Sequence, residues 1–371
     1  MNIYNALQIS NYRNDEMKKI LVGLSGGVDS STTAALLKKQ GYDVIGVTMA
    51  IWGDRKVKPS TGIHGACLGP DEKKDIEAAQ RVAEFLEIPY QVIDCSKEYD
   101  DIVLKYFKSE YLSGRTPNPC IRCNSLIKFG ALPLIAREKG IDFDKFATGH
   151  YARIVEKDGI YHLARGKDQS KDQSYFLYKL TQNQLKNSLM LLGEYEKTEV
   201  RKIAKDFGLD VSDKPDSQDF YEGDYNELLE VREKEGNIVD IDGNILGRHR
   251  GIWNYTIGQR KGIGISSSEP LYVIKLDKET NTVVVGNIDE TFKKSLIATE
   301  INYPSGEKIK DGEYYAKIRS SQPLKECRVE VIDGKIKVEF ADYQKSITLG
   351  QSIVIYDEEF VAAGGIIDEV F

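Results

Sequence analysis

The segment Gly23-Leu24-Ser25-Gly26-Gly27-Val28-Asp29-Ser30 joins an apolar run, Ile20-Leu21-Val22, to a helix expected to begin near Ser30. A strand that turns through two glycines into a helix makes an anion site. Gly26 and Gly27 let the backbone approach a phosphate closely, the N–H groups of the first helical turn point outward, and the helix dipole favours negative charge there. Asp29 is placed to hold Mg²⁺ beside those phosphates. No Lys follows the glycines, so the G-x-x-x-x-G-K-[ST] phosphate loop is absent, and so is a G-x-G-x-x-G dinucleotide fingerprint.

The string reads instead as S-G-G-x-D-S, which resembles the pyrophosphate loop (PP-loop) of enzymes that split ATP into AMP and pyrophosphate and use the AMP to activate a carbonyl-type oxygen. Its surroundings suit such a loop. From Lys18 to about Leu209 short apolar runs alternate with helical periodicity, which predicts a parallel sheet covered by helices. Strands are expected at Ile20–Leu24, Val44–Met49, Tyr90–Ile93 and Phe146–Thr148, and helices at Asp71–Glu87 and Lys97–Ser113. In an open sheet of this kind ligands bind beyond the carboxyl ends of the strands, where Ser25, Met49 and Gly149 fall.

After Asp210 the composition changes. Gly, Asp and short β-type runs dominate: Tyr272–Leu276, Thr282–Val285, Tyr314–Ile318, Arg328–Ile332, Lys335–Phe340 and Ser352–Tyr356, separated by turns such as Asp333-Gly334, read together as a small antiparallel barrel. The division expected is a flexible extension over residues 1–17, a doubly wound α/β ATP-pyrophosphatase domain over 18–210, a small central domain over 211–285 and a C-terminal antiparallel β-barrel over 286–371. The formal charge of −7 gives no global support for nucleic-acid binding, so any such role rests on local basic patches such as Arg248-His249-Arg250 and Arg260-Lys261. No apolar run approaches a membrane span, the N-terminus is polar, and the five cysteines form no even framework; these features predict a cytoplasmic protein.

The second chemical feature is Thr116-Pro117-Asn118-Pro119-Cys120-Ile121-Arg122-Cys123-Asn124. Two prolines stiffen the approach, so the thiols of Cys120 and Cys123 are presented on a shaped loop, and Arg122 and Lys128 are expected to favour the thiolate. No second Cys pair exists and the four histidines are scattered, which argues against structural zinc and leaves redox, persulfide or iron–sulfur chemistry.

At these residues the chain resembles the tRNA-specific 2-thiouridylases, the MnmA family, from Lys18 to its end. The resemblance is carried by the loop Gly23–Ser30, Thr116-Pro117-Asn118-Pro119, Cys123-Asn124, Lys128-Phe129-Gly130, Ala147-Thr148-Gly149-His150-Tyr151, Lys171-Asp172-Gln173-Ser174-Tyr175-Phe176-Leu177, Pro215-Asp216-Ser217-Gln218, Tyr255-Thr256-Ile257-Gly258-Gln259-Arg260 and Gly364-Gly365-Ile366-Ile367. It implies sulfur transfer to C2 of the wobble uridine, position 34, of tRNAs reading Lys, Glu and Gln codons, with ATP and Mg²⁺ and a sulfur donor such as a cysteine desulfurase relay or free sulfide. It also implies ATP contacts from Gly23, Leu24, Ser25, Gly26, Gly27, Val28, Asp29 and Ser30, with Met49 and Gly149 near the adenosine. Contacts to tRNA are implied for Asn118, Pro119, Cys120, His150, Lys171, Asp172, Gln173, Arg319 and Gln351. Plainer roles stand beside these: core packing for Met49, close backbone approach for Gly149, a structural histidine at 150 and a solvated charged turn at Lys171-Asp172.

Two positions depart from the family pattern. Many members have Asp where this chain has Cys120, and a second catalytic cysteine where it has Tyr221. Cys123 therefore lacks its usual partner. Either Cys120 replaces it as the resolving thiol, or Cys120 and Cys123 join Cys67 on a [4Fe–4S] cluster whose fourth iron binds a sulfide for transfer. Cys95 and Cys327 read as inert apolar residues. Two rival functions share parts of the pattern: another PP-loop ATP-dependent ligase or amidotransferase, which a missing glutaminase segment disfavours, and a non-catalytic iron–sulfur or RNA-binding module, which an intact loop disfavours.

Overall fold

The computed structural model describes residues 18–53, 68–69, 72–212, 220–221 and 225–371. The expected extension over 1–17, Cys67, the helix start at Asp71 and Pro215–Gln218 lie outside the described residues.

Five parallel strands form the first sheet: β1 (Lys19–Gly23), β2 (Asp43–Ala50), β3 (Tyr90–Asp94), β4 (Lys145–Ala147) and a short strand, Ser188–Leu189, in the spatial order β3-β2-β1-β4 and then Ser188–Leu189. The period-two alternation of β1 explains why both faces are covered. Ile20 and Val22 point to one layer with α1 (Val28–Lys39), α2 (Glu72–Phe85) and the later helix Lys197–Asp206. Leu21 joins the opposite layer with Phe107, Ile121, Ile127 and Phe129. Two helical runs build that second layer. The first, α3, passes from Ser96–Tyr99 through a π-helical turn at Asp100–Leu104 into Lys105–Leu112. The second, α4, passes from Pro119–Arg122 through a π-helical stretch at Cys123–Ala131 into Leu132–Glu138.

A hairpin, β5 (Ala152–Lys157) and β6 (Ile160–Arg165), leaves this domain. The short strand Ser188–Leu189 is β7, and helices α5 (Gln182–Lys186) and α6 (Lys197–Asp206) flank it. The next unit holds α7 (Tyr225–Leu229), β8 (Gly236–Val239), β9 (Ile245–His249), β10 (Tyr272–Asp277) and β11 (Thr282–Gly286) in the order β10-β11-β8-β9. Here the structure departs from the sequence reading. Tyr272–Asp277 and Thr282–Gly286 belong to this sheet rather than to the last barrel, and β11 runs parallel to β8.

The last unit is a closed antiparallel barrel of six strands, β12 (Phe292–Asn302), β13 (Gly312–Lys317), β14 (Lys325–Ile332), β15 (Lys335–Lys345), β16 (Ser352–Asp357) and β17 (Phe360–Val370). The β12–β17 pairing closes it. Alternate residues such as Val329, Val338, Phe340, Ile353 and Ile367 fill its interior. The expected succession of α/β domain, small central domain and C-terminal barrel is therefore present. The hairpin β5–β6 also joins the barrel sheet through the pairing of Phe360 with Ala164. Among the described residues no helix is long and apolar enough to cross a membrane.

Candidate functional site

The loop after β1 lies at the carboxyl edge of the sheet, beside the switch point between β1 and β4. Gly26 takes φ +69°, and a Cβ there would collide with the Asp75 carbonyl oxygen on α2, so this position requires glycine twice over. Gly27 then caps α1. Ser30 Oγ accepts from the Ser25 amide at 3.1 Å and donates to the Gly27 carbonyl at 3.3 Å, so the loop is folded on itself with Ser25 outermost. The turn after β4 presses on the same helix start: a Cβ on Gly149 would lie 2.7 Å from the Ser30 amide nitrogen. The close-approach role weighed for Gly149 is thus what its surroundings demand. Met49 is the last residue but one of β2, half-buried against the core.

Asp29 is the carboxylate of this loop, and its partners were invisible from the sequence. Both oxygens lie 2.7 Å from Lys197 Nζ, and Tyr151 donates its hydroxyl to Oδ1 at 2.7 Å. Lys197 is nearly buried and opens α6, where a cation opposes the helix dipole; that misplacement was the one available signal. Its amide is fixed by Asp168 Oδ2 at 3.0 Å, and Tyr151 is fixed by Gln173, whose side chain accepts from the Tyr151 amide at 2.9 Å. Asp29 can serve Mg²⁺ that arrives with substrate phosphates, an ion content with one or two carboxylates, by exchanging Lys197 for the metal.

Cys120 and Cys123 stand half-exposed on α4, three residues apart, a spacing that makes helical side chains neighbours. The approach to them is pinned to the barrel: the Thr116 amide donates to the Leu349 carbonyl at 2.9 Å, and Arg115 bridges Glu110 and Asp368. Arg122, between the thiols, has partners of its own. Its guanidinium stacks on Tyr106 at 3.7 Å and pairs with Glu300 at 3.1 Å, because the helix turns it toward α3 and the barrel. Cys95 and Cys327 are buried, and burial pushes both thiols up to about 12, which keeps them protonated and inert. Among the described residues no group of three or more His, Cys, Asp or Glu could hold a metal ion, and Cys120 and Cys123 alone do not fill a cluster's ligand set. Leu68, next in sequence to Cys67, forms a parallel bridge with Tyr221, and its amide donates to the Phe220 carbonyl at 3.1 Å.

The residues expected at tRNA divide into outward and inward groups. Asn118 caps α4, Pro119 is buried at its first position, and Lys171 is exposed. His150 Nδ1 lies 2.8 Å from Thr148 Oγ1 and its ring packs on Phe129 of α4; burial, helped by the Lys128 charge, pushes its pKa down to about 3, so the ring is neutral. Arg319 is half-buried and donates to the Ser346 carbonyl at 2.7 Å, and the Gln351 carbonyl accepts from the Ile367 amide at 2.8 Å. Asp172 is turned inward. Its carboxylate is buried, accepts from the amides of Gly166 and Ser174 at 3.1 Å each and from Ser174 Oγ at 3.0 Å, and faces Lys317 and Arg165 at 3.7 and 3.6 Å. That carboxylate ties the 166–174 turn to the barrel.

A parallel α/β sheet with S-G-G-x-D-S at its switch point, followed by a small β domain and a closed barrel, defines a PP-loop protein with two appended β domains. Residues 18–221 match the family described as tRNA methyl transferase HUP domain, 228–287 its PRC-barrel domain, and 293–367 the aminomethyltransferase beta-barrel domain. The chain is 50% identical over 358 residues to the tRNA-specific 2-thiouridylase MnmA of Endomicrobium trichonymphae, covering 94% of this chain and 98% of that protein. It is 46% identical over 363 residues to the tRNA-specific 2-thiouridylase MnmA of Clostridium beijerinckii, covering 95% and 99%. Among solved structures, NMN synthetase from Francisella tularensis is similar at 15% identity with a TM-score of 0.34, over 57% of this chain and 71% of that one. The chain belongs to the MnmA family of tRNA-specific 2-thiouridylases.

Proposed function

We propose that the protein is a tRNA-uridine 2-sulfurtransferase of the cytoplasm that converts wobble uridine 34 of the Lys, Glu and Gln tRNAs to 2-thiouridine, using ATP and Mg²⁺. The observation that carries this reading is the turn Gly149-His150. Through Gly149 it packs on the first turn of α1, and through His150 it packs on Phe129 of the helix that bears both thiols. Phosphate chemistry and sulfur chemistry therefore meet at one turn.

The outward amides at the start of α1 and the Ser25–Ser30 loop bind the ATP phosphates, with Met49 and Gly149 toward the nucleoside. Asp29 is the residue that would hold the metal, whose charge neutralises the departing pyrophosphate. Lys197, at the start of α6 and beside the loop, is released from Asp29 to add a second positive charge there. The C2 oxygen of the uracil bonds to the α-phosphorus and pyrophosphate leaves. Anticodon-loop bases can be turned out into a pocket, and we assign contacts with this tRNA to Asn118, His150, Lys171, Gln173, Arg319 and Gln351.

Sulfur transfer falls to the pair on α4. A persulfide on Cys123, charged by a desulfurase relay or by sulfide with an oxidant, attacks C2 with its terminal sulfur and the C2–O bond to AMP breaks. The Cys120 thiolate then attacks the Cys123 sulfur; the S–S bond breaks, the terminal sulfur stays on uracil, and a Cys120–Cys123 disulfide remains for an external thiol to reduce. The alternative of a cluster on Cys67, Cys120 and Cys123 draws its support from the Leu68–Tyr221 bridge, which sets the neighbour of Cys67 beside the position where many relatives carry their second cysteine. Iron and sulfide analysis of anaerobically purified protein separates the two: about four irons favour the cluster, none favours the thiol pair. The function itself is tested by incubating the protein with ATP, a sulfur donor and unmodified tRNA; pyrophosphate release that requires tRNA and 2-thiouridine in the digested product are expected, and release without tRNA would refute it.

A further inference from the structure

Strand β12 loses register between Thr299 and Asn302, where it pairs with β17, and Glu300 within that gap takes φ +48°, a left-handed conformation that a non-glycine residue adopts at a cost. Asn302 secures the distortion by donating to the carbonyls of Tyr178 and Leu180 at 2.6 and 3.2 Å. The result is a carboxylate aimed across the seam at α4. Glu300 meets Arg122 at 3.1 Å and Lys179 at 2.8 Å, at one side of a cavity of about 330 Å³ that Ser125 and Leu126 also line.

Three features distinguish this cluster from an ordinary clasp. Two cations share one carboxylate, which leaves a net positive charge. The cations are held from behind, with Arg122 stacked on Tyr106 and side-chain exposures of 22% and 16% for Arg122 and Lys179, whereas Glu300 is 52% exposed and is the member that an anion from solvent meets. Among the described residues, Arg122 Nε is buried with no hydrogen-bond partner, so the guanidinium holds a donor that Glu300 does not use.

We infer that Arg122 and Lys179 form a subsite for a backbone phosphate of the tRNA, and that Glu300 occupies it in the RNA-free protein as a placeholder that the phosphate displaces. The inference rests on the proposed function for the identity of the RNA. A backbone phosphodiester presents two non-bridging oxygens that share one negative charge, the same fork the carboxylate offers to the two cations, and Arg122 is next in sequence to Cys123, so the bound backbone would be fixed beside the sulfur-bearing helix. Glu300 also keeps two partly buried cations paired when no RNA is bound.

The test is binding of unmodified tRNA to the full-length protein between 50 and 200 mM KCl. Each phosphate contact contributes a slope of about −0.7 to −0.9 in log affinity against log salt, or about threefold over that range. Glu300→Gln should bind tRNA several-fold more tightly and with a slope at least as steep as wild type. Lys179→Gln and Arg122→Gln should each bind more weakly and lower the slope by about one contact. Glu300→Gln binding no tighter than wild type while retaining the wild-type melting temperature, or a slope unchanged in Lys179→Gln, would overturn the subsite and leave a structural clasp. Should Glu300→Gln fail to fold, Lys179→Gln decides alone. Wild-type protein that binds no tRNA would instead contradict the functional reading on which the inference rests.

Discussion

The ATP loop and the thiol-bearing helix sit on opposite sides of the Gly149-His150 turn and are built on different principles. Phosphate is recognised largely by backbone, so the loop is local: Ser25, Gly26, Gly27 and Ser30 complete one another within six residues. Sulfur chemistry uses side chains, and the helix carrying Cys120 and Cys123 is positioned by distant segments, with Thr116 held by Leu349 and Arg122 by Glu300. A site made of backbone tolerates little change within a short stretch. One made of gathered side chains can exchange members, and the proposed role of Cys120 as the resolving thiol would be such an exchange.

Variants of the first region should therefore show the largest effects. Lys197→Met removes the cation that pairs with Asp29 and is placed to neutralise the departing pyrophosphate, and should lower tRNA-dependent AMP formation by about 10²-fold or more, the scale of losing one preorganised charge donor. Asp29→Ala should do the same while tRNA affinity stays near wild type. Near-wild-type AMP formation by either variant would show that the Asp29–Lys197 pair takes no part in activation and that the backbone of the loop suffices. Tyr151→Phe deletes one of the hydrogen bonds to Asp29 and should be milder, a loss of about tenfold for one charge-assisted bond of about 1.5 kcal/mol. An effect as large as that of Lys197→Met would mean that Tyr151 acts on substrate directly.

The smallest effect concerns the shared turn. Burial holds His150 neutral, with its pKa pushed down to about 3 from an ordinary value near 6.5. The folded state thus binds a proton less readily than the unfolded chain. The stabilisation is fully present above pH 6.5 and is lost progressively as pH falls from there toward 3. His150→Gln should flatten the melting temperature between pH 6.5 and 4.5 relative to wild type; parallel profiles would show that the ring is not held neutral.

Much of the fold was readable because its signals are local. Four of the five parallel strands follow from their apolar runs, while Ser188–Leu189 is too short to leave a pattern. The hairpin β5–β6 turns through Asp158-Gly159, both with positive φ, the same dipeptide signal that marked the turn at Asp333-Gly334. The hairpin interrupts a stretch whose dominant pattern is alternating strand and helix, which masks its signal. Tyr272–Asp277 and Thr282–Gly286 look like barrel strands in sequence, and only their pairing with β8 assigns them elsewhere. Within the site, the loop glycines and the thiols announce themselves. Lys197 does not, since it reaches Asp29 across 168 residues of sequence, and the inward turn of Asp172 depends on Lys317 in another domain.

The central claim is that activation and sulfur delivery are separate steps carried by these two regions. It is tested most directly in a single turnover of Cys123→Ser protein with ATP and unmodified tRNA, counting AMP or pyrophosphate and 2-thiouridine independently. The account predicts that tRNA-dependent pyrophosphate release persists while no 2-thiouridine forms. Normal thiolation by this variant, or loss of pyrophosphate release together with thiolation in a protein that still folds and binds tRNA, would contradict it.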